Sequence, residues 1–171
     1  MKLYGLEPRI ERVLEIEKFE SVYDSRRCAP QHAREAGGRP MSKITSTDMD
    51  GIMTGDLSMI AEVACAPHVD VERAWQVSKQ HALTTSAVRH VLRQLLDQTA
   101  DPLTVRQWAS FVMRGYLEVV GPPIRPVDIE YEDPYEDEIV EALHYLDQIG
   151  DLIDGDVEPD RVRQLLATLE P

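Results

Sequence analysis

The sequence predicts an all-α fold, an antiparallel helical bundle with a less ordered N-terminal linker region, on three observations. Beyond residue 56, apolar residues recur at i, i+3, i+4 and i+7, the spacing that lines one face of a helix. Capping side chains and proline-led starts stand ahead of these stretches, with glycine or proline after them. The alternation a sheet requires is confined to residues 122–133.

The 171 residues, 43% hydrophobic and 29% charged, suffice for one sizeable core and are too apolar for a wholly disordered chain. No apolar run reaches the roughly 18 residues that a membrane-spanning helix needs. The first residues turn charged without an apolar h-region, so no secretory signal is read and a cytoplasmic location is expected.

Residues 6–22 read as an amphipathic helix, with Ile10, Val13, Leu14, Ile16 and Phe19 on one stripe, giving an N-terminal element over 1–24. Residues 25–55 carry Pro30, Gly37, Gly38, Pro40, Gly51 and Gly55 and few large apolar side chains, and are expected to form a flexible linker. Met41 inside it offers an alternative translation start, which would make residues 1–40 dispensable.

The helical domain is expected over 56–171. Asp56 is placed as the cap of a short helix that Pro67 ends, and Asp70 as the cap of a second running to about His81, with Val71, Ala74, Trp75 and Ser78 on one face. Thr84 or Thr85 caps a third, whose stripe is Val88, Val91, Leu92, Leu95 and Leu96. Asp101-Pro102 pairs an N-cap with a proline at the first helical position, and the helix is drawn to about Val119, before Gly121-Pro122-Pro123. Residues 122–133, with three prolines, form an extended connection. Asp133-Pro134 repeats the cap-plus-proline start for a helix bearing Ile139, Ala142, Leu143, Leu146 and Ile149 and closing at Gly150. A last helix starts at Pro159 with Val162, Leu165, Leu166 and Leu169 facing inward.

The net charge is −13, and its distribution is uneven. Residues 1–120 hold 15 basic and 16 acidic side chains, a net of −1, whereas residues 121–171 hold 3 and 15, a net of −12. A nucleic-acid binder must neutralise phosphates, so Arg89, Arg93, Arg106 and Arg114 on the third and fourth helices of this domain make a weak helix-turn-helix footprint, and direct nucleic-acid binding is not expected. The segment 130–141 carries Glu130, Glu132, Asp133, Glu136, Asp137, Glu138 and Glu141 with no basic residue between them. Two explanations compete: a solvated face that keeps the protein soluble, and electrostatic steering of a cationic partner. Glu136, Asp137 and Glu138 also lie where carboxylates favour the positive end of a helix macrodipole.

Cys28 and Cys65 are separated by 36 residues and form no CxxC pair, so both are read as reduced and structural. His32, His68, His81, His90 and His144 include no i, i+4 pair, which argues against a zinc site. The acids of 151–158 surround Gly155 in an order unlike a calcium-binding EF-hand loop. No phosphate-binding glycine loop, nucleophile elbow or dinucleotide fingerprint occurs. No cofactor, metal or catalytic residue is therefore assigned, although paired carboxylates such as Glu136 and Asp137 leave acid/base chemistry as a minority reading.

With these residues in view, residues 88–171 resemble the small acidic helical immunity proteins of the colicin D type, a bacterial self-protective family. The resemblance rests on Val91-Leu92-Arg93-Gln94-Leu95-Leu96, a threonine-led helix with aromatic anchors over 104–116, the acidic connection, Glu141-Ala142-Leu143-His144-Tyr145-Leu146-Asp147 and the closing leucine-rich helix. It covers about half of the chain and implies a bundle that blocks a cationic toxin nuclease with carboxylates. It assigns no individual residue, and the residues ahead of it would be an extension in a minimal immunity protein.

The function expected is a non-enzymatic acidic binding protein that inhibits or shields a basic partner. Its contacts are Glu130, Glu132, Asp133, Glu136, Asp137 and Glu138, with Tyr131 or Tyr135 as the aromatic anchor that affinity requires. A core position is the alternative for either tyrosine. The runner-up function is a structural or regulatory helical module, such as a homo-oligomer, whose acidity only keeps it soluble.

Overall fold

A computed structural model describes residues 44–117, 125–150 and 156–170, all within the compact unit Arg39–Pro171. Among them the protein is mainly helical: α1 Ser46–Met53, α2 Ile60–Cys65, α3 His68–Trp75, α4 Thr85–Leu96, α5 Pro102–Arg114, α6 Glu136–Asp147 and α7 Pro159–Thr168. One short parallel pair, β1 Ala82–Leu83 and β2 Glu130–Tyr131, departs from an all-α fold. The expected N-terminal helix over 1–24 lies outside the described residues, as do Met41 and most of the expected linker.

The part of that linker within the described residues is folded. Thr45 caps α1 and exchanges a reciprocal capping box with Asp48, satisfying orphan amides at both positions. Met49, Ile52 and Met53 are fully buried. Their i, i+3, i+4 spacing builds one apolar face, obscured in the sequence by the glycines and prolines around it.

Boundaries shift where a competing contact wins. Asp56 accepts from the Ser58 amide at 2.9 Å, forming a turn ahead of α2, which has no side-chain cap. Ala66 is extended before Pro67, so α3 opens at His68. Asp70, expected as the cap, lies inside the first turn of α3 and pairs with Arg73 of its last turn at 2.7 Å. α3 stops at Trp75 because residues 78–80 turn to donate to Asp50. The Thr84 cap and the Asp101-Pro102 start stand where expected.

α5 ends at Arg114, before the expected Val119, with Gly115 as a left-handed cap at φ +71°. The returning chain lies against this glycine: the Val127 amide donates to the Gly115 carbonyl at 3.1 Å. Asp133-Pro134, a cis peptide, belongs to a turn, and α6 begins at Glu136 without a side-chain cap.

The core runs through all the helices, with Trp108, Phe111, Leu92, Leu143, Leu146 and Leu165 at least 99% buried. Trp108 Nε1 donates to the buried Ile52 carbonyl at 2.8 Å, which also accepts from the Gly55 amide at 3.1 Å, and so ties α5 to the C-terminal end of α1. α5 packs on α6, α4 on α7 and α2 on α5. The C-terminal ends of α5 and α6 meet: Asp147 accepts from Ser110 Oγ and from Arg114 at 2.9 Å.

Cys65, expected as a reduced thiol, is disulfide-bonded. Sequence separation says nothing of spatial separation, which decides whether two sulfurs can pair. No described helix is long and apolar enough to cross a membrane.

Candidate functional site: an acidic segment beside two helix starts

Residues 125–138 carry all eight residues singled out for partner binding. Val127 is buried and Ile129 half-buried, while Asp128 and Glu130 are exposed, the alternation of an extended strand with one face on the core. The strand is held by β1 on one side. Glu130 N–H donates to the His81 carbonyl at 3.1 Å, and Glu132 N–H to the Leu83 carbonyl at 3.0 Å.

The acidic side chains separate into two groups. Glu132 is half-buried, and its Oε2 accepts from the Thr85 amide at 2.7 Å and the Thr85 hydroxyl at 2.9 Å. It supplies a carboxylate to the positive N-terminal end of α4, beside the Thr84 cap. Glu130, Asp133, Glu136 and Asp137 are exposed, and Glu138 is half-buried. None of these five makes an ion pair with any described residue. Asp128, exposed and likewise unpaired, extends the acidic face and was not singled out from the sequence. Glu136, Asp137 and Glu138 fill the first turn of α6, where the helix macrodipole favours them.

Tyr131 and Tyr135 are half-buried and pack against the core. The Tyr131 hydroxyl donates to the Val112 carbonyl at 3.3 Å. Burial, and after it the nearby Glu136 charge, raises its pKa above the ordinary phenol value. Its ring ties β2 to α5 and leaves only part of its surface to a partner.

Two polar clusters elsewhere had no clear sequence signal. Asp50 Oδ1 accepts from Ser78 Oγ at 2.5 Å, Lys79 N–H at 2.8 Å and Gln80 N–H at 3.0 Å. Asp147 gathers Ser110 and Arg114. Each carboxylate joins segments distant in the chain through these bonds. A shallow depression lined by Val63, Val71, Phe111 and Leu117 includes His68, whose Nε2 donates to the Arg125 carbonyl at 2.7 Å. Among the described residues no group of three or more His, Cys, Asp or Glu side chains could hold a metal ion.

No protein-family model matches this chain, and no curated protein or solved structure matches it.

Proposed function

We propose that this chain is an acidic helical protein that binds and shields a cationic protein without transforming it, a toxin nuclease being the class its resemblance implies. The observation that supports the reading is the set Glu130, Asp133, Glu136 and Asp137: exposed, close in sequence and unpaired among the described residues. Clustered carboxylates without counter-charges repel one another, and a basic partner relieves that cost while being steered by the same field. Glu132 stands apart from the contact set because its carboxylate is committed to α4. Tyr131 and Tyr135 contribute their exposed edges.

We read α4 and α7 as an antiparallel pair of the proposed bundle, since Arg89 near the start of α4 reaches Glu170, beyond the end of α7, at 3.5 Å. A cytoplasmic location belongs to the same reading. The disulfide at Cys65 weighs against it, because such bonds are rare in reducing compartments.

The test is affinity capture with the tagged full chain from its source lysate at low and high salt, followed by binding of the purified captured protein to the wild type and to Glu130→Lys/Asp133→Lys. The reading expects a basic protein held at low salt, released as salt rises, and bound more weakly by the variant. Empty capture at both salts by a folded bait, or equal binding by both forms, overturns it.

A further inference from the structure

β2 has an edge that β1 does not use. In the parallel register Ala82↔Glu130 and Leu83↔Tyr131, β1 engages the backbone of Glu130 and Glu132. The amide and carbonyl of Tyr131, between them, therefore point to the opposite edge. Neither hydrogen-bonds to any described residue. The outer edge of β1 is closed differently: Gln80 Nε2 donates to the Ala82 carbonyl at 2.6 Å. Among the described residues the pair therefore has one blunted edge and one bare one, and a bare edge is a template for another strand.

The charge around the bare edge selects the occupant. Asp128, Glu130 and Asp133 flank Tyr131 along the chain and are exposed and unpaired among the described residues. No Lys or Arg occurs between residues 126 and 160. We propose that β2 accepts an extended, lysine- or arginine-rich segment of the partner protein as a third strand, its backbone pairing with Tyr131 and its cationic side chains meeting these carboxylates. This rests on the acidic docking reading and adds the form of the segment recognised. Main-chain pairing sets its direction and register, and charge sets its composition.

The probe is a synthetic eight-residue peptide of alternating lysine and threonine, compared with its analogue N-methylated at every residue, which keeps the charges and loses every backbone donor. Both are titrated into the full chain at low salt, with affinity and the hydrogen exchange of the Tyr131 amide as readouts. Strand addition expects the unmodified peptide to slow Tyr131 exchange by about tenfold or more and the methylated one to bind about tenfold more weakly without protecting that amide. Equal binding by both peptides with Tyr131 unprotected overturns strand addition and leaves acidic attraction standing. No binding by either overturns both readings of this segment.

Discussion

Asp50 reaches from α1 to three donors on residues 78–80, and these bonds lower its pKa, the Ser78 hydroxyl most of all. Burial opposes them, and the amides of Lys79 and Gln80 and the Lys79 charge add to the lowering. A carboxyl depressed in the folded state contributes stability that is fully present above its unfolded pKa, near 3.9, and is lost as pH falls through the folded value. Asp50→Ala should cost about 1–2 kcal/mol near neutral pH by stranding those donors. Denaturant melts of wild type and variant should converge as pH falls below about 4; a gap that stays constant down to pH 2 would contradict the assignment. Glu132 gives a second residue-scale test. Glu132→Ala should lower stability by about 1–2 kcal/mol by removing a charged acceptor from the α4 start, measured by thermal unfolding, whereas Asp133→Ala, exposed and unpaired, should change it by less than about 0.5 kcal/mol.

Element boundaries turn on contacts that the sequence states only indirectly. α5 shows why. Its start is a local matter, an aspartate followed by a proline, and is placed as expected. Its end depends on Gly115 meeting the returning strand, and nothing in the apolar period of 105–117 marks that encounter. A Cβ on Gly115 would stand 2.3 Å from the Val127 carbonyl oxygen and 2.9 Å from its nitrogen, at φ +71°. Gly115→Ala should therefore destabilise by roughly 2 kcal/mol or more, read as a fall in the urea midpoint; an unchanged midpoint would show that segment 125–131 moves freely away from α5. α1 is the opposite case, a helix carried by Met49, Ile52 and Met53 inside a segment whose composition suggests a linker. Tertiary burial outweighs its weak local propensity. The two-residue sheet was equally hidden, since pairs this short leave no period and their partners lie 48 residues apart.

At the scale of the molecule, the uneven charge of the sequence and the unpaired carboxylates of residues 128–138 describe one feature from two sides. Composition revealed the excess and placed it in the last third of the chain. The fold divides it, committing Glu132 to α4 and leaving Glu130, Asp133, Glu136 and Asp137 to solvent. That division was beyond the sequence because Thr85, which takes up Glu132, is distant in the chain and adjacent only in the fold. On the proposed function, these exposed acids guide a cationic protein to its site. This guidance is tested most directly by the association rate constant of the captured basic protein with the wild type and with Glu136→Lys/Asp137→Lys, each at low and high salt, with unfolding used to allow for about 0.3–1 kcal/mol lost per charge at the α6 start. The account expects the variant to associate at least about tenfold more slowly at low salt, with the difference shrinking as salt rises. Equal rate constants for the two folded proteins at low salt would contradict it.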